Sequence, residues 1–147
     1  MFKILLALHL LFAVFAIGPL VHAATTAARG VRKGDGAATA GSSRMLRIYS
    51  YASVLVVIVG MGLMSAKENG QKVGEISDVW IWLSLVLWAL ALGLILGVVV
   101  PTLNAATERI AKEESVVALT GRVAAAGGVV GLIFAAIVFV MVYRPGG

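Results

Sequence analysis

Few side chains in this sequence can do chemistry in an apolar setting, and the first of them is His9. It stands within the run Ile4-Leu5-Leu6-Ala7-Leu8-His9-Leu10-Leu11, where a polar ring is expensive to keep and a functional role becomes reasonable. Met61, Met64 and Met141 lie in two later apolar runs, at a similar depth to His9 if the runs cross a membrane alternately. An imidazole with two or three thioethers at one level suits a soft ion such as Cu(I). A His/Met pair could instead be axial to a haem iron. The plainer alternative is that the methionines fill gaps between helices and His9 makes an interhelical hydrogen bond. His22 is a separate question: on a helix it lies about 20 Å along and roughly 220° around from His9, so the two cannot share one metal.

Other chemistry is excluded by what the sequence does not contain. With no cysteine there is no disulfide, thiolate ligand or cysteine nucleophile. Neither GxSxG, a P-loop, HExxH nor a GxGxxG after a strand is present. The acids Asp35, Glu68, Glu75, Asp78, Glu108, Glu113 and Glu114 all fall between apolar runs. Paired acid/base catalysis inside a bilayer therefore has no candidates, and a carboxylate-coupled transporter is disfavoured. No soluble basic surface with reading elements suggests nucleic-acid binding. The expectation is a protein that is not an enzyme.

The elements that must hold these residues follow from composition. Of 147 residues, 61% are hydrophobic and 13% charged, and mean hydropathy is +1.01, far from the balance of a soluble domain. Four uncharged stretches are long enough to cross a hydrocarbon layer, at about residues 4–28, 48–66, 79–103 and 123–143. Backbone groups in lipid must bond internally, and runs without alternation are helices rather than barrel strands. The fold class expected is all-α: one polytopic domain, residues 1–147, forming a four-transmembrane-helix bundle.

Charge orients the bundle. Loops 29–47 and 104–122 hold eight of the twelve Lys and Arg, and Lys3, Lys67, Lys72 and Arg144 make up the rest. The positive-inside rule then puts those two loops in the cytoplasm and both termini outside the cytoplasmic membrane. Asp35, after the Gly34 turn, is placed to cap a helix running into span two. Glu108 with Lys112 and Arg109 with Glu113 have i,i+4 spacing, so span three should continue as a solvated helix. Gly121 is expected to reset the chain before Arg122. Residues 67–78, with Asn69-Gly70 and Gly74, read as a plain exposed turn.

Lys3, the apolar run and Val21-His22-Ala23 also have the form of a signal peptide, whose cleavage would leave three spans beginning at Ala24. Small and apolar residues continuing to Ala28, and Gly18-Pro19 as an ordinary transmembrane kink, favour a retained helix. Close packing in lipid relies on small residues. Gly93/Gly97 and Gly127/Gly131 form GxxxG pairs, and Gly60 and Gly62 add a small face. These could close the bundle, or one pair could make a homodimer seam or dock the chain in a larger membrane complex. Trp80, Trp82, Tyr49, Tyr51 and Tyr143 read as interfacial anchors.

The segments "LLALHLLFAVFAIG", "VVVPTLN" (with Pro101 ending span three) and "VFVMVYRP", with the basic first loop, resemble a family of small bacterial integral membrane proteins of unknown function. The early span-one His and the basic-Pro ending are also similar to copper-resistance membrane proteins of the D type and to the HemJ-type protoporphyrinogen oxidases. In the oxidases a membrane histidine near the N-terminus is implicated in haem binding, and His9 matches its position. The oxidases' "FYLPRLFVYH"-like stretch is replaced here by Gly18-Pro19-Leu20-Val21-His22, so oxidase activity does not carry over. The resemblance implies a four-span bundle with His9 as the residue to test for haem b or copper.

Overall fold

A computed structural model describes residues 2–145 except 69, 73 and 76. It contains four long helices: α1 (Phe2–Arg32), α2 (Gly36–Ser65), α3 (Val79–Ala111) and α4 (Val117–Tyr143). Each is long and apolar enough to cross a membrane. Most of their apolar surface faces outward, including Phe15, Leu132 and Val142. Exposed hydrocarbon on this scale is stable only against lipid, so the chain is a multi-pass membrane protein with an all-α four-helix bundle.

α1 packs on α2 and α4, and α3 packs on the same two helices from the other side. The buried positions recur at alternating spacings of three and four: Leu20, Ala24, Ala27 and Val31 on α1, and Val123, Gly127, Val130, Phe134 and Ile137 on α4. That repeat is the seam of a left-handed bundle with shallow crossing angles. On α2 the same seam is polar, with Thr39, Ser43, Ser50 and Ser53 buried beside Leu46. Thr39 and Thr107 hydroxyls meet at 2.7 Å, and the Ser43 hydroxyl donates to Asn104 Oδ1 at 2.7 Å, joining α2 to α3. Buried hydroxyls are costly to leave unpaired in lipid, and these two pairings help fix the register of the two helices; Ser50 Oγ, also buried, has no partner among the described residues.

Both membrane prolines follow a π-helical turn, Ala13–Ile17 before Pro19 and Ile95–Val99 before Pro101. Proline lacks an N–H and its ring crowds the carbonyl four residues earlier, which here lies within the widened turn. The helix therefore continues through each. Helix α3 runs on past Pro101 to Ala111, the extension that the charge spacing of residues 108–113 predicts. The stretches Pro19-Leu20-Val21-His22-Ala23-Ala24-Thr25 and Pro101-Thr102-Leu103-Asn104-Ala105-Ala106-Thr107 share Pro and Ala-Ala-Thr at matching places. The bundle is thus two similar helical hairpins, α1–α2 and α3–α4, running in the same sense.

The caps refine the other boundaries. Asp35 is the N-cap of α2, its Oδ1 accepting from the Ala38 N–H at 3.1 Å. Asp35→Ala should lower stability in detergent by about 1 kcal/mol, read as a shift in a thermal melt; an unchanged melt would show that the cap contributes nothing. At the other turn, α3 ends at Ala111 and Glu113 is left-handed, with φ of 57°. Arg109 and Glu113 thus share no helical face, because the chain has already turned. Gly121 does not reset the chain as expected: it sits inside α4, which starts at Val117, six residues before the anticipated span. The turn is made by residues 112–116 instead.

The loop after α2 is also more than a plain turn. β1 (Lys67–Glu68) pairs antiparallel with β2 (Gln71–Lys72), with Gly70 at φ of 83°; Asn69, expected at this turn, lies outside the described residues. Gly74 is buried where a Cβ would come within 2.9 Å of both Trp80 and Ile81. The loop thus folds over the start of α3. Trp80, expected as an interfacial anchor, is buried beneath it, whereas Trp82, Tyr51 and Tyr143 are exposed as anchors would be.

Candidate functional site

His9, Met61, Met64 and Met141 are brought together: all four line one cavity of about 620 Å³ between the helices. It occupies the half of the bundle that carries the chain termini. The opposite half is closed by the Ala-rich face of α1 (Ala23, Ala24, Ala27 and Ala28), where helices approach tightly. The cavity exists because bulky side chains replace that small face toward the termini and hold the helices apart. It is the size of an organic-ligand pocket. Met61 is 46% and Met141 37% exposed, so the thioether side of the cavity opens toward lipid.

The His9 ring is half-buried and lies over Gly60, where a Cβ would be 3.0 Å from its Cε1. Its Nδ1 is 3.1 Å from the Val56 carbonyl oxygen. A carbonyl only accepts, so Nδ1 carries the proton and donates. This is the interhelical hydrogen bond expected of a structural histidine. The same bond leaves the Nε2 lone pair unused, and a metal-ligating histidine characteristically donates its other N–H to a carbonyl in this way. Val56 and Gly60, one helical turn apart, supply the acceptor and the space.

The remaining polar groups on the cavity wall are largely committed. The Ser53 hydroxyl donates to the Ser50 carbonyl at 2.6 Å and accepts from Trp88 Nε1 at 3.0 Å. The Ser84 hydroxyl donates to the Trp80 carbonyl at 2.8 Å. Arg144, just past α4, also lines the cavity, its guanidinium carbon 5.4 Å from the centre of the Trp80 ring. These serines carried no motif that marked them in the sequence, and Trp80 was marked there only as an interfacial anchor. The heptad spacing of Thr39, Ser43, Ser50 and Ser53 was the available signal.

His22 does not line the cavity. It lies in the tight half of α1, and its backbone carbonyl accepts from the Thr26 hydroxyl at 2.6 Å. Among the described residues no cluster of three or more His, Cys, Asp or Glu could hold a metal. The two GxxxG pairs have different fates. Gly127 receives the backbone of Ala24, and a Cβ at Gly131 would be 3.1 Å from the Thr25 methyl, so this pair joins α4 to α1. A Cβ at Gly93 or Gly97 would meet nothing within 4 Å.

The site thus belongs to a class: a membrane helical bundle with an apolar cavity, a fixed imidazole and a cation at its edge. No protein-family model, curated protein or solved structure matches the chain.

Proposed function

We propose that the protein binds a ligand in this cavity rather than catalysing a reaction, and that the ligand is of the haem type, ligated by His9 Nε2. The observation that carries the reading is the Nδ1–H bond to Val56, which fixes the ring with Nε2 free on the wall of a large apolar cavity. Met61, Met64 and Met141 line the same cavity, and their thioethers are the side chains that could hold such a group together with His9. When bound, such a group supplies one-electron chemistry whose potential depends on the axial ligands and on burial. The residues fit it in donor type and in space. A bare copper ion needs its donors converged on one point, which a cavity of about 620 Å³ does not favour.

The distribution of Lys and Arg supports a cytoplasmic membrane with both termini outside, which would place the cavity toward the outer face. Gly93 and Gly97, free within the bundle, are the pair available for a homodimer or a larger complex. The ligand reading is tested by the visible spectrum and metal content of protein purified in detergent, before and after adding haem. A Soret band that His9→Ala removes is expected. Stoichiometric copper without a Soret band would replace haem with copper as the ligand, and a colourless preparation that takes up neither would overturn the metal role of His9.

A further inference from the structure

Arg144 has an unusual position for an arginine at a helix C-cap. Its backbone is left-handed, with φ of 48°, and its N–H returns to the Val140 carbonyl at 2.8 Å. That turn ends α4 and sends the side chain back over the buried Trp80 instead of onward from the helix. Trp80 is held in turn by the loop that packs Gly74 against it. A guanidinium held over an indole ring by its charge needs none of its N–H groups for that contact, so they stay available to an acceptor. Among the described residues the guanidinium is held by this ring rather than by a carboxylate. The Asp78 carboxylate, two residues before Trp80, accepts from the Glu75 N–H at 2.9 Å.

We infer that Arg144, set by Trp80, is an anion clamp at the mouth of the cavity, and that the site takes an amphipathic anion. The apolar body of the ligand fills the space between the helices, and its carboxylate or phosphate meets the guanidinium at the edge of the bundle. The division of labour follows from the lining: Ser53 and Ser84 are bonded within the protein, and among the described lining residues Arg144 is the cationic side chain. The edge of the bundle is also where such a group can stay hydrated while its apolar portion leaves water. This rests on the cavity being a ligand site, as proposed above, but not on what His9 does there.

The test uses the full chain in a non-ionic detergent, with a fluorescent polyene fatty acid and its methyl ester as probes. The acid should bind the native protein at least tenfold more tightly than the ester. Arg144→Gln should remove that preference, and Arg144→Lys should keep part of it. Trp80→Phe should weaken acid binding more than ester binding, shrinking the preference severalfold. A native protein that takes up no haem yet still prefers the acid would lose the haem reading and keep the clamp, so the two failures are distinguishable. Displacement of the probe by phosphatidylglycerol but not phosphatidylcholine would identify a lipid headgroup as the anion; displacement by neither would identify a free carboxylate. Equal affinities for acid and ester, no binding of either, or an Arg144→Gln protein that still prefers the acid would overturn the inference.

Discussion

Gly127→Val should prevent the bundle from closing, while Gly128→Val one position away leaves it intact. A Cβ on Gly127 would overlap the backbone carbonyl of Ala24, and a backbone has no alternative rotamer with which to move aside. The two helices would have to separate along their whole tight face, breaking the contacts of Leu20, Ala24, Ala27 and Val31 with α4. Overpacking a well-fitted core typically costs 1–3 kcal/mol when side chains can adjust. Here the obstacle is main chain, so about 3 kcal/mol or more is expected. A Cβ at Gly128 meets nothing within 4 Å, and its valine would point into lipid. The measurement is the thermal or dodecyl-sulfate midpoint of the two variants in the same detergent. Similar midpoints for the two would show that α1 and α4 do not approach as described.

The contrast between these adjacent glycines also marks where sequence reading ends. The four spans were legible because an uncharged run of about 20 residues has one stable form in lipid. Asp35 was legible because capping is a local act, settled within three residues. Whether Gly127 faces α1 and Gly93 faces lipid depends on how each helix is rotated about its axis. A helix apolar on every side carries almost no hydrophobic pattern to fix that rotation. What fixes it is polarity and size: the small face of α1 and the hydroxyl seam from Thr39 to Ser53. Both are visible in the sequence as heptad spacings, as is the repeated Pro and Ala-Ala-Thr pattern of the two hairpins. The continuation past Pro101 was legible from the charge spacing, but the π turn that absorbs the proline was not, because no local pattern marks a widened turn.

The candidate site divides along the same line. His9 and the three methionines were identifiable from residue type and depth alone, since alternating helices bring matching depths together. The roles of Val56, Gly60, Trp80 and Arg144 were not, because each acts through geometry that no motif encodes. The cavity itself results from two unlike halves, an alanine face that closes α1 on its neighbours and bulky residues that prop the helices open nearer the termini. A uniformly apolar bundle would have had no reason to leave such a space.

Gly60→Val gives the sharpest view of whether the placement of His9 matters, because it leaves the imidazole in the chain. A Cβ there comes within 3.0 Å of the ring, and the branches of valine would occupy the ring's own space. The imidazole must swing away, the hydrogen bond to Val56 is lost, and Nε2 no longer holds its position on the cavity wall. Freeing a buried N–H costs about 1–3 kcal/mol, so stability should fall measurably. Haem affinity should fall at least tenfold, equivalent to about 1.4 kcal/mol or more. Gly62→Val is the control, since a Cβ at Gly62 meets nothing within 4 Å. If haem binding survives Gly60→Val but not His9→Ala, the imidazole ligates from an orientation that Val56 does not set. If Gly60→Val and Gly62→Val melt together, the ring does not rest on Gly60 at all, and the fixed tautomer on which ligation through Nε2 depends has no structural basis.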